Sequence, residues 1–242
     1  MLKQLERFDA ILVHGDPAVI TLDETFGPVD RIDIPLVYTG YITPRPPPHA
    51  RVAERKRLGL LSEDRLVVVS AGGGKVGAPL MKAAAAAFGR LSADPHLHLH
   101  LIAGPYGDAD LFQALMDQAG GRLTVQRFND RFLELLTAAD LSVSMGGYNT
   151  CMNLLSAQVP RALIWPFAQN REQGLRVERL MGLAPFLLLA EKDLTAKRFA
   201  QRVRRLLDQP PGSTEGVRLD GAEVSARWIS DWFASTGKGA AP

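Results

Sequence analysis

The sequence has little cysteine and no long apolar run. Cys151 is the single cysteine among 242 residues, so the chain cannot form an internal disulfide, and a reducing compartment is favoured. No apolar run approaches the roughly 18 residues that cross a bilayer, and the start lacks the basic-then-apolar order of a secretory leader. The formal net charge of +2 is too small to attract nucleic acid or an anionic membrane. We therefore expect a soluble cytoplasmic protein without a nucleic-acid partner.

Common catalytic and metal-binding motifs are also missing. There is no Ser-centred nucleophile elbow, no His-Glu-x-x-His and no Cys-x-x-Cys. His96, His98 and His100 share one face of a predicted strand, but their parallel directions favour packing over a metal site. Cys151 stands early in a predicted helix, where thiolate character can rise, and a small packing residue is the favoured interpretation. We expect neither a metal nor another cofactor.

Short apolar runs alternate with helical segments after residue 48. Four prolines between residues 44 and 48 predict a stiff extended connector. The six runs that follow predict a parallel sheet covered by helices on both faces. The predicted fold is therefore α/β, with a doubly wound Rossmann-like sheet. The predicted strands are 66–70, 97–103, 123–128, 141–145, 162–165 and 186–189.

The sequence predicts three parts along the chain. Residues 1–43 contain only two short apolar runs and are too short for a domain, so we interpret them as the end of a larger N-terminal domain with a hinge. Residues 44–219 form the α/β domain. Residues 220–242 form an amphipathic helix and a tail.

Two glycine-rich turns each follow a predicted strand and open a helix. The first runs from Gly72 to Gly77, and the second contains Gly146 and Gly147. Glycines let a ligand approach the backbone, and a helix N-terminus offers N–H groups and partial positive charge to a phosphate. Ligands of open parallel sheets bind beyond the carboxyl ends of the strands, where both turns lie. The alternative is a pair of structural turns, with Asn149 or Thr150 capping the second helix.

A third segment, residues 165–173, follows a further strand on the same edge. Its Glu172 and Gln173 are polar and suit recognition of hydroxyl groups. The alternative is a solvated first helical turn, where acidic residues are favoured in any case.

Together the three segments resemble the C-terminal donor domain of GT-B glycosyltransferases. The group in question contains the bacterial transferase that adds N-acetylglucosamine to the peptidoglycan lipid intermediate. A bacterial subgroup of uncharacterised glycosyltransferases is similar over almost the whole chain. The motifs that carry the resemblance are Gly72–Gly74 with Gly77, Met145-Gly146-Gly147-Tyr148-Asn149-Thr150, Pro166 with Glu172-Gln173, Val13–Pro17 and Tyr38–Tyr41.

The resemblance implies a UDP-type nucleotide sugar as the donor. The glycine turn and the second helix start would face the diphosphate, and the backbone around Phe128 would border the base. Glu172 and Gln173 would contact the sugar. Asn153 stands where the family usually has an acidic residue for the ribose, which weakens that contact because charge-assisted hydrogen bonds are stronger. The implied donor-binding residues are Gly72, Gly73, Gly74, Lys75, Val76, Gly104, Phe128, Met145, Gly146, Gly147, Asn149, Thr150, Asn153, Glu172 and Gln173.

The family places its acceptor site and catalytic base mostly on the N-terminal half. We therefore expect the chain to need an acceptor domain or a partner chain, through which any membrane contact would come, and we assign no catalytic residue. The predicted function is transfer of a hexose or N-acetylhexosamine from a nucleotide sugar to an unknown acceptor. The alternatives are a non-catalytic nucleotide-sugar-binding module and a UDP-sugar epimerase.

Overall fold

The protein forms two compact units. A computed structural model describes residues 2–5, 7–167, 169 and 171–236. One unit combines Met1–Pro44 with Gly216–Pro242, and the other is Arg45–Glu215. Residues 41–47 between them contain no helix or strand. The assignment of residues 1–43 to an acceptor domain stays a prediction.

The first unit contains a two-stranded parallel sheet. Its strands are three residues long and pair in register from Ile11 with Leu36 to Val13 with Tyr38. The elements before the connector are α1 (Leu2–Leu5), β1 (Ile11–Val13), α2 (Leu22–Thr25), a 3-10 helix (Gly27–Arg31) and β2 (Leu36–Tyr38).

The second unit is a doubly wound α/β domain, as predicted. Its six strands are all parallel and lie in the order β5-β4-β3-β6-β7-β8. The chain builds outward from β3 in one direction and then from β6 in the other, so the strand order reverses between β3 and β6. The strands are β3 (Arg65–Ser70), β4 (Leu97–Ile102), β5 (Leu123–Gln126), β6 (Leu141–Met145), β7 (Ala162–Trp165) and β8 (Phe186–Leu188).

Helices cover this sheet on both faces. Val67 and Val69 of β3 share an apolar core with α4 and α9, whereas the buried side chains of α6 and α7 lie outside that core. No helix among the described residues is long and apolar enough to cross a bilayer. The helices are α3 (Ala50–Arg57), α4 (Ala78–Leu91), α5 (Ala109–Met116), α6 (Phe132–Ala138), α7 (Tyr148–Ser156), α8 (Arg171–Leu180), a 3-10 helix (Glu191–Asp193), α9 (Ala196–Leu207) and, in the first unit, α10 (Gly221–Thr236).

Cys151 and His100 are buried, whereas His96 and His98 lie beside the carboxylate of Asp64. The Cys151 side chain is fully buried, and this burial raises the pKa of its thiol to about 11. His96 Nδ1 and His98 Nε2 lie 3.2 Å and 3.5 Å from the Asp64 carboxylate. His100 is buried, which lowers the pKa of its imidazole. In the part of the chain that the structure describes, no cluster of three or more His, Cys, Asp or Glu could hold a metal ion.

A buried carboxylate joins α3 to the start of α6. Glu54 is 0% exposed, and its oxygens accept hydrogen bonds from Arg57 at 2.6 Å and 2.9 Å. Arg131, which precedes α6, donates at 3.2 Å. Burial works against the charged form, but the hydrogen bonds from both arginines outweigh it and hold the pKa of Glu54 below its ordinary value.

We expect Glu54→Gln to lower the free energy of unfolding by about 2 kcal/mol near neutral pH, because charge-assisted hydrogen bonds are lost inside the protein. The folded-state pKa of Glu54 lies below the unfolded-state pKa. Its contribution is therefore present above the unfolded pKa and is lost as pH falls through the folded pKa. Urea unfolding at a series of acidic pH values should show that the free energy of unfolding falls less steeply with decreasing pH for the variant than for the wild type. The control is Glu178→Gln on the exposed side of α8; an equal loss in both variants would contradict the role of Glu54.

Candidate functional site

A cavity of about 230 Å³ lies at the carboxyl ends of the central strands. It is lined by the last residues of β3 and β4, by residues that follow β3, β4 and β5, and by one residue each from the first turns of α6 and α7. Open parallel sheets bind ligands at this edge, where the strand order reverses. The lining residues are Ser70, Gly72, Gly73, Ile102, Gly104, Pro105, Arg127, Phe128, Asn129, Phe132 and Thr150.

The turns after β3 and β4 press directly on each other. Gly104 has a φ of +88°, and a Cβ there would lie 2.5 Å from the Gly72 carbonyl oxygen. Gly74 has a φ of +91°, and its Cβ would lie 2.6 Å from the Gly107 nitrogen. The Tyr106 amide donates to the Gly73 carbonyl at 2.9 Å. Only glycine combines this left-handed conformation with such close backbone contact.

The residues after β5 close one end of the cavity. The Gly104 amide donates to the Arg127 carbonyl at 3.0 Å, and Arg127 Nη1 donates back to the Gly107 carbonyl at 3.3 Å. The Arg127 guanidinium stacks 4.2 Å above the Phe112 ring. Phe128 is 68% exposed. Since β5 ends at Gln126, the predicted strand 123–128 is two residues too long, and Phe128 lies in the loop.

A chain of hydroxyl groups joins the end of β3, which lines the cavity, to β6. Ser70 Oγ donates to Ser144 Oγ at 3.1 Å, and Ser144 Oγ lies 2.8 Å from Ser142 Oγ. All three side chains are almost fully buried. Their mutual hydrogen bonds offset the cost of burying polar groups.

The N-terminus of α7 opens beside the same cavity. Its N-cap is Gly147, which has no side chain with which to cap the helix. The first backbone bond of the helix runs from the Cys151 amide to the Gly147 carbonyl at 3.0 Å. The prediction that Asn149 or Thr150 caps this helix is wrong, because both residues lie inside its first turn. A glycine N-cap leaves the helix end open to an anion.

Glu172 and Gln173 lie in the first turn of α8 and are held by other protein groups. Glu172 forms an ion pair with Arg176, and Arg176 also donates to the Gly146 carbonyl at 3.3 Å. Gln173 Oε1 accepts a hydrogen bond from the Phe167 amide at 3.1 Å. Two residues of this predicted segment, Ala168 and Asn170, lie outside the described residues.

The structure brings five of the predicted donor-binding residues together around the cavity: Gly72, Gly73, Gly104, Phe128 and Thr150. The donor-binding role of the whole predicted set stays a prediction. The sequence prediction did not include Arg127 and Asn129, which flank Phe128 in the loop after β5 and also line the cavity. The predicted residues outside the cavity lining are Gly74, Lys75, Val76, Met145, Gly146, Gly147, Asn149, Asn153, Glu172 and Gln173.

A doubly wound parallel sheet with glycine turns at its switch point defines this part of the chain as a Rossmann-like α/β domain. The model of the glycosyltransferase family 28 C-terminal domain matches residues 67–216. The chain therefore belongs to this family, as the motifs predicted.

Two relatives show how much of the longer proteins the chain represents. It is 25% identical over 235 residues to an uncharacterised glycosyltransferase of Methanopyrus kandleri, spanning 95% of this chain and 62% of that relative. It is 30% identical over 115 residues to the UDP-N-acetylglucosamine–N-acetylmuramyl-(pentapeptide) pyrophosphoryl-undecaprenol N-acetylglucosamine transferase of Chlamydia pneumoniae, spanning 47% of this chain and 32% of that enzyme. The chain thus spans less than two thirds of the length of either relative.

Solved structures share the fold. MurG of Acinetobacter baumannii superposes with a TM-score of 0.58 at 17% identity, covering 82% of this chain and 58% of that one. A structure described as a UDP-N-acetylglucosamine 2-epimerase from Listeria monocytogenes gives 0.57 at 13% identity, covering 97% and 76%. At these identities the likeness concerns the fold alone, and transferases and an epimerase share it.

Proposed function

We propose that this chain is the nucleotide-sugar-binding domain of a glycosyltransferase that takes a hexose or N-acetylhexosamine from a UDP-type donor. The observation that carries the proposal is the cavity that runs from the end of β5, across β4 and β3, to the start of α7. Neighbouring strands lie about 4.8 Å apart. The three strand spacings from β5 to β6 therefore give about 14 Å, which accommodates a base, a ribose and a diphosphate in extended form.

The two ends of this cavity differ in chemistry. The α7 end offers an open helix N-terminus with a glycine N-cap, where partial positive charge favours a diphosphate. The β5 end offers the exposed ring of Phe128, against which a base can stack. During transfer the oxygen of an acceptor hydroxyl bonds to the anomeric carbon as the bond from that carbon to the diphosphate breaks, and the hydroxyl proton passes to a base of the acceptor domain. The helix dipole and backbone N–H groups stabilise the developing charge without a metal or another cofactor.

The acceptor site belongs to a part of the protein that this chain does not supply. The chain covers 62% of its Methanopyrus relative, and no catalytic base is assigned among its residues. An acceptor domain, in the same polypeptide or in a partner chain, completes the enzyme in this proposal. Its acceptor is unknown, and a cytoplasmic location remains part of the proposal.

We expect saturable binding of UDP and UDP-N-acetylglucosamine to the isolated chain by titration calorimetry. Thr150→Val, which removes the hydroxyl from the cavity while keeping the size and shape of the side chain, should bind UDP more weakly by about fivefold, the value of a typical hydrogen bond. Thr195→Val, which removes the N-cap hydroxyl of the distant α9, is the matched control. The absence of a thermal shift with any nucleoside diphosphate would overturn the proposal.

The alternatives differ in what happens after binding. Among the described residues that line the cavity there is no Asp or Glu, and acid–base chemistry on a sugar usually needs such groups. Release of an epimer from UDP-N-acetylglucosamine would nevertheless establish the epimerase. Binding without transfer, after an acceptor domain has been restored, would establish the non-catalytic module.

A further inference from the structure

Helices α4 and α9 carry only positive charge. Together they contain seven lysine and arginine residues and none of the 26 acidic residues of the chain. Because the whole chain has a net charge of only +2, the remainder of the chain is acidic on balance. Helix α5, which packs on the same core, shows the contrast, since it contains Asp110 and no cation.

Six of these cations form one exposed surface, which we call the basic face. Helices α4 and α9 pack directly against each other and bury their apolar sides in the same core, so their exposed sides point away from the sheet together. Arg204 donates to the Arg90 carbonyl at the end of α4, which ties the two helices side by side. The basic face comprises Lys82, Arg90, Lys197, Arg198, Arg204 and Arg205, all of them exposed. The seventh cation, Arg202, is half-buried, and its Nε lies 3.9 Å from the Asp193 carboxylate.

The spacing of the basic face makes its charges act together. At 1.5 Å per residue, Lys82 and Arg90 are separated by about 12 Å along α4, and Arg198 and Arg205 by about 10 Å along α9. Two helices in contact lie about 8–10 Å apart. These spacings are close to the Debye length of about 8–10 Å at moderate salt, so the fields of the six cations overlap.

The stability of α9 does not account for its charges. Arg204 and Arg205 suit the last turn of the helix, but Lys197 and Arg198 stand in its first turn, where the partial positive charge of the helix end repels cations. Arg198 and Arg202 are also like charges four positions apart, which destabilises a helix further. A ligand of opposite charge relieves this repulsion.

The surface between the cations favours a lipid bilayer over other polyanions. The exposed residues that separate the cations are small or polar, such as Ala86, Gly89 and Gln201. No large apolar side chain is exposed on α4 or α9, whereas protein partners are anchored by such side chains and single-stranded nucleic acid stacks on aromatic ones. Two helices side by side also present no protruding helix that could enter the groove of a duplex. A plane of lipid phosphates requires only the charge.

We propose that the basic face binds the surface of an anionic lipid bilayer without inserting into it, and so holds this domain at a membrane. The inference goes beyond the proposed function and does not depend on nucleotide binding in the cavity. Each lysine or arginine near an anionic surface strengthens binding about fivefold. Because nothing apolar is exposed to enter the hydrocarbon, the attraction is electrostatic and is screened by salt.

The test measures co-sedimentation of the full chain with vesicles of phosphatidylcholine, with and without added phosphatidylglycerol. We expect binding to the anionic vesicles alone, and its loss at about 1 M salt, where the Debye length is about 3 Å. A variant combining Lys82→Gln, Lys197→Gln and Arg205→Gln should lower the partition coefficient about a hundredfold, since three cations contribute about fivefold each. The three side chains are exposed, so we expect the variant to fold and to bind UDP as the wild type does.

The matched control removes the same charge from other helices. It combines Lys56→Gln on α3 with Arg171→Gln and Arg179→Gln on α8, all at exposed positions. The buried side chains of both helices lie outside the core that α4 and α9 share. The control should bind the anionic vesicles as the wild type does.

Several outcomes would overturn the proposal. Equal losses in the two triple variants would make net charge, not the basic face, the cause of binding. Equal binding to vesicles with and without phosphatidylglycerol, or binding that survives high salt, would indicate apolar insertion instead. Binding to a nucleic-acid duplex without binding to anionic vesicles would assign the basic face to nucleic acid. If the triple variant does not fold, Lys197→Gln alone decides, and a partition coefficient equal to that of the wild type counts against the proposal.

Discussion

Replacing Gly147 with aspartate is expected to stabilise the protein and to weaken UDP binding strongly at the same time. The backbone of Gly147 has φ −64° and ψ 149°, which any residue adopts, and an added Cβ would meet only Thr150 Oγ1 at 3.9 Å. An Asp N-cap would accept a hydrogen bond from the first turn of α7 and complement the helix dipole. The gain in unfolding free energy should be about 1 kcal/mol.

The same carboxylate would occupy the proposed diphosphate seat and repel the ligand. We expect the UDP affinity of Gly147→Asp to fall by at least about a hundredfold, because like charges in contact cost several kcal/mol. Thermal unfolding and calorimetry on one preparation measure both effects. Gly147→Asn is the matched control, since it caps without charge and should weaken UDP binding far less. Full UDP affinity in Gly147→Asp would show that the diphosphate does not sit at α7.

Replacing Gly104 with alanine is expected to damage stability and the cavity together. The residue has a φ of +88°, and the new Cβ would lie 2.5 Å from the Gly72 carbonyl oxygen and 2.6 Å from the Gly74 nitrogen. Both neighbours are backbone atoms, so the two turns must move apart. We expect a loss of about 3 kcal/mol in unfolding free energy, from left-handed strain plus this displacement. UDP binding should fall below detection because the same turns line the cavity.

Gly59→Ala separates the two causes of that loss. Gly59 has a φ of +70°, but nothing lies within 4 Å of an added Cβ. It should therefore show the backbone strain alone, about 1 kcal/mol, with normal UDP binding. Equal losses in the two variants, measured by urea unfolding, would mean that the turns after β3 and β4 do not depend on their close contact.

The strands of the main sheet were predictable because burial on both faces leaves a continuous apolar run. Residues 66–70 of β3 are all buried, and this pattern is visible in the sequence. Helix α3 was not predicted, because its sequence ARVAERKR is mostly charged and lacks an apolar stripe. It is held instead by the buried Glu54, whose partner Arg131 is remote in sequence.

The site was predictable where a residue type is demanded by the backbone. Gly72 and Gly74 both have positive φ, and a cluster of glycines after an apolar run marks such a turn in the amino-acid sequence itself. Arg127 gave no such signal, because an arginine at a strand end is usually a solvated charge. Phe128 was wrongly placed in the predicted strand 123–128. Its apolar ring extended the strand pattern, although it is 68% exposed at the cavity.

The buried thiol of Cys151 makes the folded chain unreactive towards thiol-directed electrophiles. With a pKa of about 11, only about one molecule in ten thousand carries the thiolate at neutral pH, and the side chain has no exposed surface. Maleimides and similar reagents react with the thiolate, so we expect them not to label Cys151 in the folded protein. A cysteine introduced at Tyr106, which is 72% exposed beside Gly73, would therefore be the single reactive handle. A fluorophore placed there reports on the mouth of the cavity without any background from the native thiol.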